Sequence, residues 1–112
     1  MAVVLAFADE KIRQTCESGR SARRRLGQDA AECLQARLAD LLAADSPSDL
    51  LVLQLAHPDL AFDNRLVIPL CNGYVLVASV NHRPEPRSPS GELDWKQVSR
   101  IKILSIERAN EN

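Results

Sequence analysis

Asn72-Gly73 separates two apolar runs, Leu66 to Leu70 and Tyr74 to Val80, and no other feature restricts the fold of this chain as much. Asn-Gly is the dipeptide that best tolerates the positive φ angles of a tight hairpin, so the runs read as neighbouring antiparallel strands. Pro69 has no amide hydrogen to give to a ladder, which puts the first strand at a sheet edge or at a bulge.

The strongest helical period lies upstream. Ala31, Leu34, Leu38, Leu41 and Leu42 recur at helical spacing, with Glu32, Gln35, Arg37 and Asp40 on the other side. This predicts an amphipathic helix over 28–44, stopped by Ser46-Pro47-Ser48-Asp49, where proline removes a donor and disfavours helical geometry in the preceding residue. Before it, the β-branched and aromatic run Val3 to Phe7 reads as a strand ending at Asp9, a helix N-cap. Ile12 and Cys16 then share one face of a short helix over 9–17, which Ser18-Gly19 interrupts. Residues 83–91, with three prolines and a glycine, read as a surface loop. Ile101, Ile103, Leu104 and Ile106 lie in a last strand of imperfect alternation, which predicts that both of its faces are partly covered.

The order strand, helix, helix, then several strands in succession predicts an α+β fold, with an N-terminal strand and two helices packed on an antiparallel sheet of about four strands. At 112 residues the chain has the size of one domain. A hydrophobic fraction of 46% and a charged fraction of 26% are those of an ordinary globular protein.

The net charge of −1 gives no overall attraction for a polyanion, but its distribution is uneven. Up to Gln28, the bases Lys11, Arg13, Arg20, Arg23, Arg24 and Arg25 face only Asp9, Glu10 and Glu17, so an anionic partner would meet the front half. Cys16, Cys33 and Cys71 are far apart, at neither zinc-ligand spacing nor in a disulfide framework, and read as buried small hydrophobes. No metal or organic cofactor is implied, since there is no ligand cluster and no glycine-rich phosphate loop. Met1 to Ala8 lacks a basic leader region and its apolar run is too short to span a bilayer, which predicts a cytoplasmic protein with no membrane partner.

Several stretches together resemble the RelE/ParE superfamily of toxins from type II toxin–antitoxin systems, closest to the HigB-like plasmid maintenance killer proteins. They are Leu34 to Ala44, Ser48-Asp49-Leu50, the connector His57-Pro58 with Leu60, and Asn72-Gly73-Tyr74. His82 with Pro84 and Pro86, and Gly91 with Leu93-Asp94-Trp95 and Val98, complete the set. The resemblance covers most of the chain as one RelE-like domain. It implies a metal-free endoribonuclease that inhibits translation, with mRNA and the ribosome as targets and a cognate antitoxin as partner. Its chemistry is attack of a ribose 2′-hydroxyl on the adjacent phosphate, which needs a base, an acid and cations, normally on the concave face of the sheet.

The candidate catalytic residues are then His57, Arg65, His82 and Arg108, and the candidates for RNA or partner binding are Arg20, Arg23, Arg24, Arg25 and Trp95. The chain departs from the family at three places. Val75 follows the hairpin tyrosine where arginine is common, Ala61-Phe62-Asp63-Asn64 replaces a usual base after Leu60, and Arg108-Ala109-Asn110 stands where the family commonly ends Asp-Tyr-His. The expectation is therefore a toxin scaffold with weakened or lost cleavage. A non-catalytic protein that binds an antitoxin-like partner through the same fold is the alternative, and a structural homo-oligomer is a third reading.

Overall fold

The computed structural model describes residues 3–108. Strand β1 (Val4–Phe7) is followed by helices α1 (Glu10–Glu17), α2 (Gly19–Leu26), α3 (Gln28–Ala43) and α4 (Ser48–Val52). Strands β2 (His57–Pro58), β3 (Arg65–Pro69), β4 (Tyr74–Val80) and β5 (Arg100–Arg108) complete one five-stranded sheet in the order β1-β5-β4-β3-β2. The fold is α+β, as the sequence predicts, but the sheet is mixed: β1 runs parallel to β5 and every other pair is antiparallel. Local pattern could not show this, because β1 and β5 stand at opposite ends of the chain.

Local chemistry explains the helices. The Asp9 carboxylate accepts from the Ile12 amide at 2.8 Å and starts α1. Ser18 closes α1 by donating its amide to the Gln14 carbonyl, and its hydroxyl accepts from the Ser21 amide at 3.2 Å to start α2. The Ser18-Gly19 interruption is thus a corner between two helices. Gly27, at φ +87°, ends α2 and opens α3, a backbone conformation that L side chains rarely adopt. Three arginines in the last turn of α2 meet the partial negative charge of its carbonyl end. On α3 the buried stripe is Ala30, Ala31, Leu34, Leu38 and Leu41, while Leu42, expected inside, is half exposed at its margin. Beyond the proline that ends α3, the chain makes the extra single-turn helix α4, which buries Leu50.

The hairpin forms where Asn-Gly predicts it. Asn72 and Gly73 adopt φ of 60° and 77°, and the Leu70 amide donates to the Tyr74 carbonyl at 2.8 Å. Alternation then sorts the sheet. Leu66 and Ile68 of β3, Leu76, Ala78 and Val80 of β4, and Ile101 and Ile103 of β5 are buried on the helical side. In β5, Ala78 faces Ile103 but Val77 faces Ser105, so Leu104 is a bulge residue without a partner. The extra residue returns Ile106 to the helical side opposite Leu76 and leaves Ser105 and Glu107 on the open one. The imperfect alternation of this strand is a bulge and not the mark of two covered faces.

Two of the three cysteines are not the small hydrophobes that their spacing indicates. Cys33 on α3 and Cys71 in the hairpin turn form a disulfide, with Cα atoms 5.9 Å apart and 38 residues of separation. Only Cys16 is a free, buried thiol; burial, with the Glu17 carboxylate beside it, pushes its pKa up to about 11. Among the described residues no helix is long and apolar enough to cross a membrane.

The disulfide gives a stability prediction. Closing a loop of this length restricts the unfolded chain enough to stabilise the native state by about 2–4 kcal/mol. Denaturant unfolding of the native protein against its Cys33→Ser, Cys71→Ser form is expected to show a loss of that size. Equal midpoints would show that the bond contributes nothing.

Candidate nucleic-acid interface

The helices cover one side of the sheet, and the other side carries a polar row at one end, beyond Val67 and Val77. Arg65 of β3 stands opposite Ser79 of β4, and Ser79 stands opposite Lys102 of β5. The three form one row across neighbouring strands on the open face. With strands spaced about 4.8 Å apart, the two cations start from backbone positions about 10 Å apart, with a hydroxyl between them. They line an open cleft of about 430 Å³, over which the loop bearing His82, Arg83 and Glu85 curls.

Two contacts prepare Arg65. Its guanidinium lies over the half-exposed ring of Phe62, 4.1 Å from the centroid, and its amide donates to the Phe62 carbonyl. Phe62 belongs to the departure after Leu60, so an aromatic that supports Arg65 stands where the resemblance expects another base.

His82 is in the cleft, but its Nε2 is occupied. It accepts from the amides of Ser99 at 2.9 Å and Arg100 at 3.1 Å, just before β5. Two donors on one nitrogen require the neutral ring with its proton on Nδ1. His82 thus anchors the loop to the strand that carries Lys102.

A second anchor holds the far side of the loop. Arg87 donates through Nη1 and Nη2 to the Asp63 carboxylate at 2.7 and 3.2 Å, and through Nη2 to Glu85 at 2.7 Å. Its Nη1 also reaches the Gly91 carbonyl, and the Asn64 amide donates to the second Glu85 oxygen at 2.9 Å. The Arg87 hydrogen bond is the main reason the Asp63 pKa is lowered. For Glu85 the Asn64 hydrogen bond comes first and Arg87 second. Sequence reading missed this network, since its members lie in two loops. Arg87 shares its one positive charge between Asp63 and Glu85, so the cleft sets the three cations Arg65, Arg83 and Lys102 against one lining carboxylate, Glu85, among the described residues.

The other expected site residues do not join this cleft. His57 is exposed on the edge strand β2, opposite Val67 on the same face of the sheet, with Nδ1 3.3 Å from the Pro58 carbonyl oxygen. Arg108 lies at the end of β5 over the Tyr74 ring, 4.8 Å from its centroid. The arginines of α2 do not form one patch: Arg23 faces Gln28 and Glu32 of α3, Arg25 faces β5, and Arg20 and Arg24 are exposed. Trp95, in a short turn of 3-10 helix capped by Asp94, packs against the core and anchors the end of the loop. The Ala109-Asn110 departure lies outside the described residues. Lys102 was legible only as the polar member of Ile101-Lys102-Ile103, and its place beside Arg65 depends on the pairing of β5 with β4.

Among the described residues no group of three His, Cys, Asp or Glu side chains could hold a metal ion. Compared with known proteins, the chain matches no family model, no curated protein and no solved structure.

Acid tests the Arg87 network. Asp63 and Glu85 titrate below their ordinary range in the folded chain. Their contribution is therefore complete above the unfolded values of about 4 and is lost as pH falls through the lowered folded values. Protection of the Gly91 and Asp94 amides, which donate to Ser88 and Pro86 within the loop, is expected to fall over that range. Arg87→Ala should give the same loss at neutral pH. Unchanged protection in both cases would show that the ion pairs do not hold the loop.

Proposed function

We propose that the open face of the sheet binds the phosphodiester backbone of RNA. On this reading the chain is the toxin component of a type II toxin–antitoxin system that acts on mRNA at the ribosome with weakened or lost cleavage. The observation that carries the reading is the Arg65–Ser79–Lys102 row in an open cleft, with Arg83 at its rim. A phosphate between two guanidinium or ammonium groups gains charge-assisted hydrogen bonds, and the hydroxyl supplies a third polar contact. The half-exposed Phe62 beside Arg65 offers a ring on which an unpaired base can stack.

The same geometry supports weak chemistry. Removing a proton from a ribose 2′-hydroxyl needs a base within hydrogen-bond reach of it. His82, the imidazole nearest the cationic row, holds two backbone amides with the nitrogen that would accept that proton. His57 does not line the cleft. Cys16 is buried and protonated near neutrality, so it offers no thiolate. Binding without efficient cleavage follows from a face that keeps its cations and commits its imidazole to structure. Action on translation places the protein in the cytoplasm, where thiol reductants would open the Cys33–Cys71 bond.

Two measurements test the reading together. Binding of short single-stranded RNA, followed by anisotropy over a range of salt, should weaken about tenfold in Arg65→Ser, Lys102→Ser, with a shallower salt dependence. Induced expression should slow growth and protein synthesis with few new mRNA 5′ ends. RNA binding that ignores the double substitution would overturn the site, and abundant cleavage would overturn the proposed loss of chemistry.

A further inference from the structure

Strand β5 is longer than the strand that flanks it. β1 pairs with Arg100 to Ile103, the Ala8 amide donates to the Ile103 carbonyl, and the chain then turns away into α1. Past that point no described strand pairs with β5 on this side. The backbone direction there follows from the register. The Asn81 amide donates to the Arg100 carbonyl, so Arg100 and Lys102 direct their backbone groups at β4. β4 continues without interruption through the bulge, so Ser105 and Glu107 also face β4, and the Ile106 amide and carbonyl face the open edge. Neither Ile106 group is bonded to another described backbone group outside the sheet.

This edge is one wall of a second groove, of about 510 Å³. Its floor is apolar, built from Ile12, Leu26, Leu104 and Ile106. Lys11 of α1 and Arg25 of α2 stand on its rim, and Arg108 covers the Tyr74 ring that closes one end. Among the described residues the one carboxylate in the lining, Asp9, is engaged with the Ile12 amide as the cap of α1. The groove thus combines an unpaired strand edge, an apolar floor and an excess of positive charge. A disordered or helical ligand would leave the edge unused, and a nucleic acid would leave the floor without a partner.

The geometry points to a docking site for an extended acidic peptide segment of another protein, which adds as a strand beside Ser105 to Arg108. It buries alternate apolar side chains on Ile12, Leu26 and Ile106, and places carboxylates against Lys11, Arg25 and Arg108. Strand addition of this kind takes its affinity from the main chain and its selectivity from the pockets and charges beside it. The groove shares Leu104 with the open-face cleft but none of the cationic row, and it does not rest on the proposed RNA binding.

The test uses the full chain and short fluorescent peptides that alternate valine with glutamate. Three comparisons read the three components of the site: the same peptide with alternate backbone amides N-methylated, a counterpart with lysine for glutamate, and the Lys11→Glu, Arg25→Glu protein. The acidic peptide is expected to bind, N-methylation to weaken it about tenfold or more, and charge reversal to weaken it about tenfold while improving binding of the lysine peptide. Arg65→Ser, Lys102→Ser, on the opposite face, should leave peptide affinity where it was, and amide spectra confirm that the variants fold. Equal binding of acidic and lysine peptides, or no effect of N-methylation, would overturn the proposal. So would displacement of the peptide by single-stranded RNA, or self-association of the chain in sedimentation that charge reversal abolishes.

Discussion

The position of β5 between β1 and β4, with one extra residue at Leu104, is the constraint on which the rest of the structure depends. Parallel pairing to β1 joins the first strand to the last and sets α1 against the sheet. Antiparallel pairing to β4 aligns Lys102 with Ser79 and, through β4, with Arg65. The bulge allows both surfaces to exist at once. Ile101, Ile103 and Ile106 all reach the helical side, while Lys102, Ser105 and Glu107 remain on the other. Without Leu104 as a spare residue, strict alternation would turn Ile106 out beside Lys102 and force Ser105 into the core.

Around that strand, polar contacts hold what packing cannot. The loop after β4 carries little apolar surface except Leu93 and Trp95, so its shape depends on His82 at one end and on Arg87 with Asp63 and Glu85 at the other. These contacts consume the imidazole and the carboxylates that a catalytic cleft would need free. They also tie Glu85, the carboxylate that lines the cleft, to Asn64 and Arg87 instead of to the cations of the row. On the proposed reading, this arrangement would hold a phosphodiester and not cut it.

Features set by neighbours in sequence were legible in advance. The Asn72-Gly73 hairpin, the Asp9 cap and the buried stripe of α3 each follow from a few adjacent residues whose chemistry leaves little choice. Helix α2 was not legible, because Gly19 to Leu26 offers only Ala22 and Leu26 to a core and is otherwise polar, so its period is faint. The parallel β1–β5 pair, the Cys33–Cys71 bond and the Arg87 network join residues far apart in the chain, and no local pattern encodes them. Arg65 and His82, candidates named after the resemblance, both line the cleft, while Lys102 needed the strand register and Arg108 lies over the Tyr74 ring at another groove. Trp95, a candidate for RNA or partner binding, packs against the core.

Amide chemical-shift mapping of the full chain during titration with a short single-stranded RNA tests whether RNA meets this protein at the row on the open face of the sheet. Saturable shifts are expected at Arg65, Ser79 and Lys102 and in the loop from Asn81 to Glu85, with α2 and the Ile106 edge unmoved. Shifts centred on Arg20 to Arg25, or on Tyr74 and Ile106, with the row unchanged, would contradict it.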